Sequence, residues 1–355
     1  MGRKSNDMYL EGTNTKALVV LVIIFAIIAA GIGVLIISNL VSPSTDPHNI
    51  EVVNFTRPTE TPTSSFENST IISTNATGSA LKIHFIDVGQ ADCALIEHNG
   101  QYAFINVGKS SKGNYYSNIR LHEPNKVAWI LASHQDSDHI GNIGYVMSGC
   151  TVNTFYDNGV TSNTLTYKEL MDKINNLKIT YDILREGETI DTWNDVKIEA
   201  VAVCSSGGKD MNDDGIVLRL EYDGVVVGFT ADVSDAVDAD IGRKLGDVDI
   251  LKVAHHGAKS STSEAFLRYA KPELSIISVG ENTYGHPSAE TIARLSEYGT
   301  VYRTDELGCI EVVIQNGNYK DENTLKEIIH ELSLITGREV TEEKERKIID
   351  TIIND

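Results

Sequence analysis

The sequence predicts an α/β fold in which two packed β-sheets are flanked by helices, set behind one transmembrane helix and followed by a short helical tail. Three observations carry this. A charge-free apolar run near the N-terminus is long enough to cross a bilayer; from Leu81 onward short β-rich runs alternate with helical segments; after Asn318 the chain turns to charged residues with helical periodicity. With 355 residues, 41% of them hydrophobic, the chain has room for one large folded domain plus appendages.

Residues 17–41, ALVVLVIIFAIIAAGIGVLIISNLV, would span a hydrocarbon core of about 30 Å as a helix. A cleaved signal peptide has a shorter apolar stretch and a small-residue cleavage site, so an uncleaved single-pass anchor is expected. Arg3, Lys4 and Lys16 precede this run, and Asp46 and Glu51 are the first charges after it. The positive-inside bias therefore makes residues 1–16 a cytoplasmic tail and places everything after residue 41 outside the cytoplasm. Residues 42–79 are rich in Ser, Thr, Asn and Pro and lack periodicity, the composition of an external linker. Its sequons at Asn54, Asn68 and Asn75 fit a glycosylated stalk.

Residues 80–317 form the expected main domain. The runs LKIHFIDV, CALIEH, YAFINV, VAWILASH, VKIEAVAV, IVLRLEY, VVVGFTA, ILKVAHH, LSIISVG and IEVVI read as strands. Helices are expected at 166–176, 235–245, 263–270 and 288–298. Residues 318–355 then read as an amphipathic helical pair. Leu325, Ile328, Ile329 and Leu332 recur at helical spacing, Gly337 breaks the segment, and Ile348, Ile349 and Ile352 follow Thr341. Such a pair packs on the main domain or offers a surface to a protein partner.

A formal net charge of −20 gives an acidic surface that repels phosphate backbones, which argues against binding nucleic acid through broad surface electrostatics. A polyanionic substrate would need a local positive centre such as a metal. The four cysteines, Cys93, Cys150, Cys204 and Cys309, are scattered singly and lack the paired spacing of a zinc ribbon or a redox motif.

The run VAWILAS leads directly into His134-Gln135-Asp136-Ser137-Asp138-His139, placing four metal-capable side chains at the exit of a buried strand. Alternate residues of an extended segment point the same way, so His134, Asp136 and Asp138 can converge before the chain turns and brings in His139. Asp232 closes VVVGFTAD, and His255-His256-Gly257 closes DILKVAHHG. A buried Asp is costly without a cation or hydrogen bonds, and adjacent histidines at a strand end are seldom core filler. A mixed His/Asp donor set suits zinc, manganese or iron, and carboxylate in place of imidazole shifts preference towards harder ions; one or two Zn or Mn ions are the expected cofactors.

Over about residues 81–315 these motifs resemble the metallo-β-lactamase superfamily and, within it, the ComEC-like hydrolase domains of competence proteins. The resemblance rests on six segments in order: Phe85-Ile86-Asp87-Val88-Gly89-Gln90, the block at 134–139, Thr230-Ala231-Asp232, His255-His256-Gly257, Tyr284-Gly285-His286-Pro287 and Tyr302-Arg303-Thr304-Asp305. It implies a four-layer αββα sandwich with metals at one edge between the sheets. It also implies that His134 and Asp136 hold one metal, that Asp138, His139 and His256 or His255 hold a second, and that Asp232 bridges them. The superfamily's usual third histidine of the first site has no counterpart; Asp210, Asn212, Asp213 or Asp214 stands nearby in sequence. Asn106 replaces an Asp common in relatives, which removes a supporting carboxylate, and Ala91, Ala231 and Ala258 replace the common Gly, Gly and Ser.

The expected activity is metal-dependent hydrolysis, with Asp138 and His286 as catalytic groups and His286 and Arg303 on the substrate. By resemblance the substrate is a phosphodiester in DNA or a nucleotide. A small ester, lactone or amide is the alternative, and a stalked binding module with a structural metal is the rival from another class.

Overall fold

The computed structural model describes residues 79–109, 125–203 and 212–321, together with 325–326, 329–330, 333, 340–341 and 344–349. The expected cytoplasmic tail (residues 1–16), the expected transmembrane segment (17–41) and, except for Ser79, the expected linker lie outside the described residues, as do Cys204 and Asp210. Among the described residues no helix is long and apolar enough to cross a membrane.

The strands are β1 (Leu81–Phe85), β2 (Cys93–His98), β3 (Gln101–Val107), β4 (Lys126–Leu131), β5 (Thr151–Asp157), β6 (Thr180–Ile183), β7 (Val196–Val203), β8 (Ile216–Tyr222), β9 (Val225–Phe229), β10 (Ile250–Lys252), β11 (Leu274–Ile277), β12 (Thr300–Arg303), β13 (Ile310–Gln315) and β14 (Asn318–Asp321). The helices are α1 (Ser137–Ile140), α2 (Ile143–Gly149), α3 (Leu165–Leu177), α4 (Asp238–Leu245), α5 (Glu264–Ala270), α6 (Ala289–Ser296) and α7 (Thr304–Leu307). Two mixed sheets result, ordered β14-β13-β1-β2-β3-β4-β5-β6 and β12-β11-β10-β9-β8-β7. In the first sheet β3 to β6 run parallel, and in the second β9 to β12 do.

Alternation along the strands divides the apolar residues between layers. In β2, Ala94 and Ile96 face the second sheet, where Phe85 stacks on Phe229 with ring centroids 6.1 Å apart. Cys93 and Leu95 face the other way, into a core shared with Ile140, Ile143, Leu170 and Ile174 of α1 to α3. A third core lies under α4 to α6, where Ile241, Leu245, Phe266 and Leu295 cover Leu251, Val253 and Ile277. Each sheet is buried on both faces, which gives the expected four-layer αββα sandwich.

Three helices start where a side chain satisfies a free backbone donor: the hydroxyls of Thr164, Ser263 and Ser288 accept from Tyr167, Phe266 and Thr291 N–H at the heads of α3, α5 and α6. One boundary differs from expectation. Asn318–Asp321 is a strand paired antiparallel with β13, so the sheet continues past residue 317. The turn at Asn316 and Gly317, both with positive φ, closes this hairpin. Residues 78–324 form one unit, and residues 325–355 belong to a second. Residues 325–326, 329–330 and 344–349 of that second unit are helical.

Candidate metal centre

The putting together of the site starts at strand tips. β4 ends at Leu131, and Ala132, Ser133 and His134 lead to Asp136, the residue before the single turn α1 that carries Asp138 and His139. β9 ends at Phe229, three residues before Asp232. β10 runs into a tight turn over Ala254–Gly257, in which His255 and His256 both adopt left-handed backbone, φ 49° and 52°. That conformation is unfavourable for residues with a Cβ, and its use at two adjacent positions aims two imidazoles at one place.

The tips meet. His139 Nε2 lies 3.2 Å from Asp232 Oδ2, and His256 Nε2 lies 3.3 Å from Asp138 Oδ2 and 3.8 Å from Asp232 Oδ2. Donor atoms of Asp138, His139, Asp232 and His256 all lie within 4.8 Å of one another. His134 stands beside them, its ring centroid 4.1 Å from that of His139 and its Nε2 3.6 Å from Asp136 Oδ2. His255 approaches Asp232 at 4.0 Å and His286 at 5.3 Å between ring centroids. Of the adjacent histidines, His256 joins the close quartet. It is buried, and its Nδ1 pairs with the Ser278 carbonyl at 2.7 Å, which turns Nε2 towards the carboxylates.

The charges are mutually dependent. Burial opposes ionisation of Asp138, but the hydrogen bond from His256 and the nearby His139 hold its pKa down to about 2. Burial likewise opposes protonation of His139, yet Asp232 and Asp138 lift it to about 9. Asp232 is held well below the ordinary carboxylate range, against its burial, by His139 and His256. His286 is pushed down by burial and by the neighbouring His255 and His256. Two carboxylates are thus kept ionised inside a histidine cage. His134 Nε2, His139 Nε2 and Asp232 Oδ1 are buried and make no hydrogen bond. Ionised carboxylates gathered with His139 and His256, beside buried ring nitrogens that lack a hydrogen bond, fit a divalent cation.

Two supporting residues, Asp92 and Ser133, lie outside the candidate residues of the sequence reading. Asp92, just before β2, is buried, and its Oδ2 accepts from Asn106 Nδ2 at 3.2 Å and lies 3.9 Å from His139 Nδ1. Asn106 Oδ1 accepts from Ser133 N–H at 2.9 Å, and Ser133 Oγ lies 3.1 and 3.4 Å from Nδ1 of His134 and His139. The carboxylate expected to be lost at Asn106 is therefore supplied by Asp92, with Asn106 holding it. An acid directly ahead of the apolar run Cys93–Ile96 was the available signal.

A cleft of about 690 Å³ opens over the quartet, lined by Asp136, Asp138, Asp232, His255, His256, His286 and Tyr284 among others. His286 sits on its wall, 3.5 Å from Gln90 Nε2, in a loop where Asn282 accepts from the Tyr284 and His286 N–H groups. Tyr284 is 73% exposed at the mouth. Among the candidates near residues 210–214, Asn212 lines the cleft, whereas Asp213 accepts from Ser234 N–H at 3.0 Å and Asp214 is buried. Arg303 is not among the lining residues: it grips Asp305 through two hydrogen bonds, 3.0 and 2.6 Å, and Glu306 at 2.6 Å.

An αββα sandwich with a His/Asp cluster at one edge defines a class of hydrolase fold with a candidate metal centre. The chain belongs to the metallo-β-lactamase superfamily, whose family model matches residues 86–281. Residues 303–355 match a second family, described as Stage VI sporulation protein F. The chain is 25% identical over 192 residues to ComE operon protein 3 of Bacillus subtilis (53% of this chain, 24% of that protein) and 25% identical over 225 residues to Recombination protein 2 of Haemophilus influenzae (61% and 26%). It is 28% identical over 133 residues to Competence protein ComA of Neisseria gonorrhoeae (36% and 19%). These alignments span about a quarter or less of each relative's own length. Among solved structures, the metallo-β-lactamase fold protein YhfI of Bacillus subtilis matches with a TM-score of 0.47 at 12% identity, covering 69% of this chain and all of that one.

Proposed function

We propose that this chain is a metal-dependent phosphodiesterase acting on DNA or nucleotides, held at the outer face of a membrane by residues 17–41. The convergence of Asp138, His139, Asp232 and His256 from the tips of both sheets is the observation that carries the hydrolase reading. The relatives named for competence and recombination support DNA or a nucleotide as the substrate. The charge pattern around the apolar run supports the anchor and its orientation.

His139, Asp232 and His256 would hold one divalent ion together with Asp138, and His134 and Asp136 would hold a second. Cations of this kind polarise a phosphoryl oxygen and bring the pKa of a coordinated water towards neutrality. Asp138, ionised and on the cleft wall, is the residue that would orient a water entering the cleft and accept its proton. His286, whose pKa is pushed down by burial and by His255 and His256, faces the cleft, where a ring N–H would donate to the leaving oxygen. Among the described residues Lys109 is the one Lys or Arg lining the cleft, against Asp136, Asp138, Asp232 and Glu281, so bound ions would supply the positive charge that a phosphodiester needs there. The open cleft beside the quartet favours a catalytic over a purely structural metal, because a structural site is closed by protein ligands.

The test is metal analysis of the purified full-length chain with hydrolysis of bis-p-nitrophenyl phosphate and a single-stranded oligonucleotide, before and after chelation. Asp138→Asn should lower kcat by about 10²–10⁴-fold. A fully metal-loaded chain that cleaves neither substrate defeats this reading. Protease protection in intact cells checks the outward placement.

A further inference from the structure

We propose that Lys252 and Asp92 form a buried ionic strut that fixes the spacing between the two halves of the metal centre and orients His139; this rests on the metal reading above. Lys252, the last residue of β10, is 1% exposed and is the one Lys or Arg buried among the described residues. Its Nζ lies 3.1 Å from Asp92 Oδ1 and donates to the Val253 carbonyl at 3.2 Å. A cation in a strand otherwise packed with Ile and Leu is costly, so it persists only where its charge is answered.

The position of the pair gives it its role. Asp92 belongs to the first sheet's side of the site: its backbone N–H donates to the Asp138 carbonyl at 3.0 Å, and its Oδ2 faces His139 Nδ1 at 3.9 Å. Lys252 belongs to the second sheet's side. Its carbonyl accepts from Thr230 Oγ1 at 2.7 Å, two residues before Asp232, and its own strand leads on to His255 and His256. The strut therefore joins the segment that carries Asp138 and His139 to the two segments that carry Asp232 and His256. A cation held from both sheets requires that separation to be fixed, and a carboxylate behind the ring nitrogen that faces away from the metal orients the ligand imidazole. Lys252 and Asp92 are positioning residues, reaching the ion through His139 and through the spacing of the tips.

The test uses the full-length chain and the double variant Lys252→Met/Asp92→Asn, which removes both charges at similar side-chain volume. A pair that serves packing alone tolerates this neutral replacement. The expected result is that the double variant, in excess chelator, unfolds within a few degrees of the unaltered chain. It should nevertheless bind Co²⁺ about 10- to 100-fold more weakly, with an altered visible absorption band. Asp92→Asn alone reads the same loss from the carboxylate side if the double variant does not fold. Unchanged Co²⁺ affinity and spectrum in a folded variant overturn the strut while leaving the metal reading intact. An unaltered chain that takes up no Co²⁺ overturns both.

Discussion

His256 Nε2 stands 3.3 Å from Asp138 Oδ2, although one residue follows a strand of the six-stranded sheet and the other a strand of the eight-stranded sheet. The contact marks the line where the two sheets meet at their tips. It also separates the acidic residues of the 134–139 block into unequal roles, from which the first expectation follows.

Asp138 belongs to the close quartet, whereas Asp136 faces His134 at 3.6 Å. Asp138→Ala should therefore lose the ion held by the quartet, by more than the roughly 10–100-fold typical of an outer partner. Asp136→Ala should retain that ion and lose affinity for a second. Metal stoichiometry after dialysis checks this, and equal loss in both variants would show that the two positions form one site.

Arg303 spends its guanidinium on Asp305 and Glu306. Arg303→Ala should leave hydrolysis within about twofold and cost about 0.2–1 kcal/mol of stability, the range for partly exposed ion pairs. A tenfold or greater rise in KM would return Arg303 to the substrate.

Ala231 has φ 46°, a left-handed conformation in which glycine carries no steric cost. Ala231→Gly should raise stability by about 1 kcal/mol, net of the flexibility glycine adds to the unfolded chain, or roughly 2–4 °C in Tm. A lower Tm would mean that the alanine methyl contributes more through packing than the strain removes.

His84 lies buried in β1 opposite Glu311 of β13, 3.0 Å from its carboxylate, with Glu97 of β2 at 3.5 Å. Burial opposes its protonation, but the hydrogen bonds and charges of the two glutamates prevail and raise its pKa above 6.5. A raised folded pKa gives stabilisation that is complete below pH 6.5 and lost as pH rises through the folded value. Thermal unfolding in chelator should thus show a steeper alkaline decline in the unaltered chain than in His84→Gln. Parallel pH profiles would remove His84 as the cause.

Much of the sandwich was legible because burial on both faces imposes continuous apolar runs. CALIEH, VKIEAVAV and IVLRLEY are strands over those same residues. The strands missed, β5, β6, β12 and β14, are mixed in polarity, and β6 and β14 lie at the edges of their sheet, where one side needs no apolar partner. The short helices α1 and α2 were hidden because a turn or two does not establish a period.

By itself the sequence determined two packed sheets flanked by helices and the metal-capable residues at strand ends, since strand burial and donor chemistry are local properties of residue type and order; the four-layer αββα order was what the family resemblance implied. Tertiary structure alone decided which donors meet. It chose His256 over His255 for the quartet, gave Asp92 the place behind His139, set Lys252 against it, and engaged Arg303 with its neighbours. Those outcomes depend on distances between segments on different sheets, and such distances are fixed only when the layers pack.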